Sequence, residues 1–334
     1  MNPVLQTLRE AGRAHLSPYA PIAREMEEVE RILAETVRND HAGVAEVVAH
    51  VSHYKGKRLR PALLLLSAKA CGQLTPKHPV LAAVIELIHT ATLVHDDVLD
   101  NASTRRHVAT ANARWGNHNS VLLGDYLFTH AFYLATTLGD IRACQIIGAT
   151  TNRVCEGELR QGLERGNLGL TEAEYFDLID AKTAELIACS SRLGALYSGA
   201  TPAVVAAMER YGRQIGIAFQ IADDLLDIVG EERATGKSLG TDLEQQKMTL
   251  PLIRFLSVSP EPRASVVRQI LNAPGNHKRE ALAPFLSESD AVEYARRTAL
   301  EYAARARAEL ACLPPSSSRT ILEAAADGVV HRDS

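Results

Sequence analysis

The sequence predicts an all-α protein, and three observations support that prediction. Alanine and leucine dominate a chain of 334 residues, of which 46% are hydrophobic and only 5% aromatic, a mixture that favours closely packed helices over strands. Apolar residues recur at helical spacing along most of the chain. No linker-like segment interrupts the pattern. We therefore expect a single domain over residues 1–334, a bundle of about ten or more helices around a deep central cavity.

Helical periodicity and short breaks predict the individual elements. The apolar positions between 20 and 50 indicate two helices, separated at Asn39 and Asp40. Gly, Pro, Asn and Ser mark later breaks, including those at 72–76, 112–119 and 199–202. The remaining helices are predicted over 61–71, 79–100, 119–138, 140–165, 171–198, 202–229, 248–257, 262–272, 277–286, 288–312 and 318–330.

Charge and hydropathy argue against several kinds of function. The formal net charge of -4 and the pI near 6.3 provide no general attraction to nucleic acid. The longest apolar stretch, at 61–70, is too short to span a bilayer, and the N-terminus lacks a signal-peptide core, so we expect a cytoplasmic protein. Five widely spaced cysteines without a CxxC pair predict neither a disulfide framework nor a zinc site.

An aspartate cluster directly follows an apolar helical segment. The sequence LIHTATLVH (87–95) runs into DDVLD (96–100), where Asp96 and Asp100 lie on one helix face. Like charges at this spacing repel each other, and beside apolar residues they are poorly solvated unless a cation lies between them. A single DDxxD is nevertheless more often a solvated helix face than a functional site.

The same pattern returns later in the chain. IAFQIA (217–222) leads into DDLLD (223–227), and Asp223 and Asp227 again share a face. Oxygen ligands without a Cys or His partner select Mg2+ over zinc, and Mg2+ usually completes its shell with water and substrate phosphates. The expected co-ligand is therefore a diphosphate. A calcium loop is excluded because the acids lie on helices and lack the mid-loop glycine of an EF-hand.

Basic residues accompany both acidic clusters. KGKRLRP (55–61) places four cations just before a predicted helix, and a helix N-terminus with Lys and Arg suits an anion, although a solvated loop is the alternative. Acid clusters surrounded by cations suit two diphosphates, one held through metal and one by Arg and Lys alone. The cations that follow the first cluster or lie further along the chain are Arg105, Arg106, Lys182, Lys237 and Lys247.

Over nearly its whole length the chain resembles the trans-isoprenyl diphosphate synthases, or polyprenyl synthetases. The most specific elements are DDVLD (96–100) with the following arginine pair, FQIADDLLD (219–227) and GKRLRP (56–61). The resemblance implies the isoprenoid synthase fold and a homodimer. It also implies repeated head-to-tail 1'-4 addition of isopentenyl diphosphate to an allylic diphosphate of farnesyl or geranylgeranyl type. The implied cofactor is Mg2+, three ions with substrate bound, for which Mn2+ can substitute.

The resemblance also implies roles for individual residues. Those expected to bind isopentenyl diphosphate are Lys57, Arg60, His89 and Arg106. Those expected at the allylic diphosphate are Arg105, Lys182, Thr183, Gln220 and Lys237. The direct metal ligands are expected to be Asp96, Asp100 and Asp223, with Asp97, Asp224 and Asp227 acting through water or orienting them. The catalytic set would be Asp96, Asp100, Lys182, Thr183, Gln220, Asp223 and Lys237.

Two features of the resemblance concern backbone conformation. A helix break near Lys182 and Thr183, together with Gln220, would turn oxygen dipoles toward the carbocation. The family usually has Gly-Gly before the first lysine, where this chain has Lys55-Gly56, and Gly before Lys247, where this chain has Gln246. These differences concern the conformation of two loops and leave the charged residues in place.

Product length in similar enzymes depends on side-chain bulk just before the first acidic motif. Short-chain enzymes tend to carry an aromatic residue where this chain has Ala91, which Thr92 follows. Small residues there, and a C-terminus without a basic tail, imply a heptaprenyl to decaprenyl product for a quinone side chain. Leu87, Ile88 and Val84 could set a deeper limit, with ordinary core packing as the alternative. The alternative prediction is a shorter, geranylgeranyl product.

Three rival functions are less consistent with the sequence. ELIH (86–89) is an ExxH, as in di-iron bundles, but no second ExxH accompanies it. A terpene cyclase usually carries an Asn/Ser/Glu triad in place of the second aspartate motif. A non-catalytic subunit of a heteromeric synthase tends to lose the acids or the Lys57 and Arg60 cluster, and this chain keeps both. Without a basic amphipathic anchor, membrane contact is expected to be transient, during product release.

Overall fold

The protein is almost entirely helical in a computed structural model, which describes residues 19–52, 54, 56–105, 108–230, 239–275 and 277–330. The all-α prediction is confirmed. Short 3-10 turns lie at Ala20–Ile22 and Leu310–Cys312, and a π-helical turn lies at Asp180–Ala184. The helices are α1 (Ala23–Thr36), α2 (Ala42–Val51), α3 (Leu59–Cys71), α4 (Lys77–Leu99), α5 (Ala111–Thr136), α6 (Ile141–Leu163), α7 (Glu172–Ile179), α8 (Glu185–Tyr197), α9 (Pro202–Val229), α10 (Thr241–Glu244), α11 (Leu250–Val258), α12 (Glu261–Asn272), α13 (Lys278–Ser287), α14 (Ala291–Glu309) and α15 (Ser317–Gly328).

Several helices begin at the residue type that favours a helix start. Their N-cap side chains each accept a hydrogen bond from a backbone N–H of the first turn, which satisfies a donor that the helix itself leaves unpaired. At Thr171 the bonding is reciprocal, because the Glu174 side chain also accepts from the Thr171 backbone. The N-caps of this kind at the starts of α5, α6, α7, α9 and α15 are Thr110, Asp140, Thr171, Thr201 and Ser316.

Two details of local structure refine the sequence predictions. The break predicted at 112–119 is confirmed in part, because α5 already begins at Ala111 but Gly116, with φ +80° and ψ 163°, interrupts its helical geometry and kinks it. The Asn112 side-chain amide donates to the carbonyls of Asp97 and Ala102, which ties the first turn of α5 to the end of α4 and the residues after it. A small hairpin pairs β1 (Thr104–Arg105) antiparallel with β2 (Val108–Ala109). Strands this short leave no recognisable sequence period.

The core consists of two clusters of buried apolar side chains. The first surrounds α3, α4 and α8, and the second lies between α9, α11 and α14. Leu63, Leu64 and Leu65 are all almost fully buried, so α3 is covered on all sides rather than along one stripe. Among the described helices, α4 is long and apolar enough to cross a membrane, but 67% of its most apolar window is buried inside the protein.

Two glycines allow α9 to pack directly on the backbone that precedes it. A Cβ built on Gly216 would lie 2.4 Å from the Cα of Ala184, and one on Gly212 would lie 2.6 Å from the carbonyl oxygen of Ile187. Because Gln220 and Asp223 lie one and two turns beyond Gly216 on the same side of α9, this contact fixes their height above the π-helical turn.

We expect Gly216→Ala to lower the free energy of unfolding by about 1–3 kcal/mol, because the added methyl overlaps the Ala184 backbone. Gly148 is the matched control: it lies inside α6, and nothing lies within 4 Å of an added Cβ. Gly148→Ala should instead raise the stability by about 0.5–1 kcal/mol. Urea unfolding followed by circular dichroism measures both, and equal effects of the two substitutions would contradict close packing at Gly216.

Candidate active site

A cavity of about 240 Å³ lies between α4, α6, α9, the π-helical turn and the segment after α10. On α4, His89, Leu93 and Asp96 follow one face and line one wall. The predicted site residues that line the cavity are Arg60, His89, Thr92, Asp96, Lys182, Thr183, Gln220, Asp223 and Asp224. The other lining residues are Leu93, Val154, Glu158, Gln161, Tyr175, Ile179, Phe219, Asp242, Lys247, Met248 and Thr249.

The three aspartates of the first motif have different surroundings. Asp96 lines the cavity. Asp97 is buried and accepts a hydrogen bond from Arg105 Nε at 2.8 Å; burial raises the pKa of Asp97 to about 6, although Arg105 opposes that rise. Asp100 lies at the end of α4 and accepts from Arg165 Nη2 at 2.8 Å, with Lys247 Nζ at 3.3 Å. Asp96 is thus the carboxylate of this motif that lines the cavity.

The second motif divides in the same way. Asp223 and Asp224 both line the cavity, but the Asp224 carboxylate is buried and accepts from the Tyr175 hydroxyl at 2.6 Å and from the Gln220 amide at 2.7 Å. Burial and the nearby Asp242 carboxylate raise the pKa of Asp224 well above its usual value. Asp227 accepts from the backbone N–H of Thr241 at 3.2 Å and so holds the start of α10.

The π-helical turn carries Lys182 and Thr183, at the helix break that the sequence predicts. A Cβ built on Gly157 would lie 2.6 Å from the Lys182 backbone nitrogen, so the glycine allows α6 to approach the turn closely. Lys182 Nζ lies 2.6 Å from Glu158 Oε1 on α6. The Thr183 hydroxyl donates to Gln220 Oε1 at 2.7 Å, so a hydrogen-bonded chain runs through Gln220 to the second motif.

Acidic groups are concentrated in the cavity wall. Desolvation and the Asp96 carboxylate raise the pKa of Glu158, and desolvation and Asp227 raise the pKa of Asp242 to about 6. Burial alone would lower the pKa of Lys182, but Asp96 and Glu158 raise it. The wall is therefore poorly balanced in charge, and an added cation would stabilise it.

The donor chemistry fits Mg2+ bound together with a substrate. The available ligands are carboxylate oxygens, which Mg2+ prefers. Within the described ranges, no three Asp, Glu, His or Cys side chains are grouped so that they could hold an ion by themselves. Thr249 is one of the lining residues, and its Oγ1 is buried without a hydrogen-bond partner among the described residues. An ion here would share its shell with ligand oxygens.

Several predicted site residues lie away from the cavity lining. Lys57 is outside it, and Arg105 is held by Asp97. Arg106 and Lys237 lie outside the described residues. Of the residues predicted to limit product length, Thr92 lines the cavity, whereas four are packed in the first core cluster: Ala91, Leu87, Ile88 and Val84.

Sequence reasoning did not single out Glu158 and Gln161. Both lie on the inner face of α6, one turn apart, and Gln161 Oε1 accepts from Lys182 Nζ at 2.8 Å. A polar pair on the side of α6 that carries buried Val154 is the signal that could have identified them. Arg165, which holds Asp100, lies in a loop and had no comparable signal.

Comparison with known proteins shows the family to which the chain belongs. A family model described as polyprenyl synthetase matches residues 41–287. Octaprenyl diphosphate synthase of Escherichia coli is 35% identical over 93% of this chain and 97% of its own length. The crystal structure of a decaprenyl diphosphate synthase from Rhodobacter capsulatus superposes with a TM-score of 0.90, at 36% identity, over 95% of this chain and 98% of that one.

The names of two further relatives indicate a different product length or a different assembly. A short chain isoprenyl diphosphate synthase of Methanothermobacter thermautotrophicus is 38% identical over 85% of this chain and 89% of its own. Heptaprenyl diphosphate synthase component 2 of Geobacillus stearothermophilus is 33% identical over 94% of this chain and 98% of its own. The chain belongs to the polyprenyl synthetase family and is a prenyltransferase, which confirms the resemblance and the isoprenoid synthase fold predicted from the sequence.

We expect Tyr175→Phe to lower the free energy of unfolding by about 1–3 kcal/mol, because the buried Asp224 carboxylate loses a hydrogen-bond donor. The control is Tyr133→Phe, since the Tyr133 side chain is largely exposed on α5 and its change should stay within about 0.5 kcal/mol. Thermal and urea unfolding measure both variants. Equal stability of the two would mean that the Tyr175 hydroxyl contributes nothing to holding Asp224.

Proposed function

We propose that this enzyme is a Mg2+-dependent, long-chain trans-polyprenyl diphosphate synthase. It would add isopentenyl diphosphate units to farnesyl or geranylgeranyl diphosphate by repeated head-to-tail 1'-4 condensation. The observation that carries the proposal is that Asp96 and Asp223, one from each aspartate motif, line the same cavity as Arg60 and Lys182. Carboxylates for a metal and cations for a phosphate thus meet in one site.

The allylic diphosphate would lie between the two aspartate motifs. Asp96, Asp100 and Asp223 would hold the Mg2+, which when bound supplies charge stabilisation for the departing diphosphate. Asp100 would then exchange its contacts with Arg165 and Lys247 for the metal. Those two cations would become available to oxygens of the diphosphate, together with Lys182, whose Glu158 partner lies in the same wall.

Isopentenyl diphosphate would bind on the opposite side, near the N-terminus of α3. Arg60 and His89 line the cavity there, and the first backbone N–H groups of α3 add partial positive charge. The double bond of isopentenyl diphosphate would attack the allylic cation, whose charge faces the oxygen dipoles of Thr183 and Gln220. The departing diphosphate would accept the proton lost in the last step.

Product length is the finer part of the proposal, because the relatives' names include both octaprenyl and short-chain synthases. The support in this chain is that Thr92, a small residue, lines the cavity just before the first motif, with Ala91 beside it. Neither residue places an aromatic ring between the cavity and the core beside the N-terminal part of α4. We therefore propose a heptaprenyl to decaprenyl product that serves as a quinone side chain.

We further propose a cytoplasmic homodimer that contacts membranes only transiently, during product release. Leu122 and Tyr133 on α5 lie about three helical turns apart on one face and are both exposed, as is Ile141 at the start of α6. Exposed apolar side chains of this kind suit a partner surface. A heteromeric assembly is the alternative, because one relative is named as a component.

We expect Asp96→Asn and Asp223→Asn each to lower the condensation rate by roughly a thousandfold, since each removes a proposed metal-binding charge. Asp177→Asn is the control, an exposed aspartate on α7 outside the cavity lining, and it should leave the rate unchanged. The assay uses labelled isopentenyl diphosphate, farnesyl diphosphate and Mg2+. Full activity of either cavity variant, or no condensation by the unmodified enzyme, would contradict the proposed chemistry.

We expect Thr92→Phe to shorten the product to about geranylgeranyl length while condensation continues, because the ring would fill the cavity beside the first motif. Thr92→Ser, which keeps the small side chain, should leave the product distribution unchanged. Chromatography of the dephosphorylated products resolves chain length. An unchanged product from Thr92→Phe would show that the chain elongates along another path.

A further inference from the structure

Arg58 is a basic residue of the KGKRLRP segment that lies outside the cavity lining. Its guanidinium joins two other helices, with Nε 2.6 Å from Glu30 Oε1 on α1 and Nη1 2.7 Å from Glu86 Oε1 on α4. Its backbone is left-handed, with φ +48°, at the N-cap of α3. That conformation is unfavourable for a residue with a Cβ, so it persists only where surrounding contacts fix it.

Glu86 is a buried carboxylate whose hydrogen-bonded partner is Arg58. It is 5% exposed and lies on α4 one turn before His89, on the face that continues to Leu93 and Asp96. A buried charge keeps its partner in place, because separating the two would leave the carboxylate without compensation. The two polar residues of the ExxH at 86–89 therefore have different contacts. His89 lines the cavity, and Glu86 pairs with Arg58 in the segment before α3.

The same segment is fixed at two further points. The Tyr19 hydroxyl donates to the Lys57 carbonyl at 2.5 Å, directly before Arg58. The Tyr54 hydroxyl accepts from the backbone N–H of Ala111 at 2.8 Å, at the start of α5. Tyr54 and Lys57, which precede Arg58, are therefore attached to separate parts of the fold, and neither contact lies in the cavity lining.

We propose that Glu86, acting through Arg58, is a positioning residue for the isopentenyl diphosphate subsite. The ion pair holds the left-handed turn that leads into α3 and so sets the position of Arg60, which lines the cavity with His89. Without the pair, the turn can relax toward a right-handed conformation, which displaces Arg60 from a diphosphate bound beside His89. This inference rests on the proposed function for the identity of the ligand.

Glu86→Gln tests the inference through steady-state kinetics with each substrate varied in turn. We expect KM for isopentenyl diphosphate to rise about tenfold, with kcat and KM for the allylic diphosphate within about twofold, because only one subsite is displaced. Two controls are matched: Glu30→Gln removes the half-exposed partner of the same Arg58, and Arg210→Gln removes an ion pair with Glu309 elsewhere. Both should change KM by less than about threefold.

Tyr19→Phe provides a second, milder test, because it removes one hydroxyl and leaves the buried ion pair intact. It should raise KM for isopentenyl diphosphate by about threefold. Calorimetric titration of isopentenyl diphosphate without Mg2+ should give the same order: unmodified enzyme tightest, then Tyr19→Phe, then Glu86→Gln.

Equal weakening of both substrates, or unchanged KM for isopentenyl diphosphate in folded Glu86→Gln and in Tyr19→Phe, would overturn the positioning role. A lack of condensation by the unmodified enzyme would instead reject the proposed function. The calorimetric order of the variants would still decide the positioning role in that case, because it requires binding only.

Discussion

The rest of the site depends on the electrostatic repulsion among several carboxylates that line one cavity. Asp96 on α4 and Asp223 on α9 line the same space, and Glu158 and Asp242 add charge to its wall. The fold imposes this repulsion, because Gly216 brings α9 onto Ala184 and Gly157 brings α6 onto Lys182. These helices cannot move apart to separate the charges without losing the close packing at the two glycines. Cations of the protein relieve the repulsion in the structure, and metal and substrate would relieve it in the proposed catalytic cycle.

The protein's own cations take part in that relief. Lys182 contacts Glu158, and Lys247 and Arg165 contact Asp100, so the residues proposed to bind diphosphate are paired with acids in the structure described here. In the proposed cycle, a metal and a diphosphate that bind together would replace these pairs without leaving a buried charge uncompensated. Either ligand alone would leave carboxylates or cations in excess. The two are therefore expected to bind cooperatively.

Much of the fold and of the candidate site could be predicted from the sequence. The features that could not be predicted depend on contacts between residues that are distant in the sequence. Helix positions and the acidic motifs follow from local periodicity, as at 202–229, where one uninterrupted pattern gave both α9 and its aspartates. The break predicted at 112–119 is confined to a kink at Gly116. Its extent was not predictable because Asn112 bonds to carbonyls near the first motif, a contact that composition does not reveal. Glu158 and Arg165 were not identified because their partners are distant in sequence. The backbone at Gln246 is left-handed, with φ +55°, a conformation that favours glycine, and this agrees with the glycine that the resemblance implies at this position.

The most direct test of the central claim is a calorimetric titration of Mg2+ into the enzyme with and without inorganic pyrophosphate. No three acidic or histidine side chains within the described residues form a complete metal site, so Mg2+ alone should bind weakly. With pyrophosphate present, the account predicts an affinity at least about tenfold higher, lost in Asp96→Asn and Asp223→Asn but not in Asp177→Asn. Equal affinity with and without pyrophosphate, or binding unaffected by both cavity substitutions, would contradict the claim that the two aspartate motifs act together on a metal-bound diphosphate.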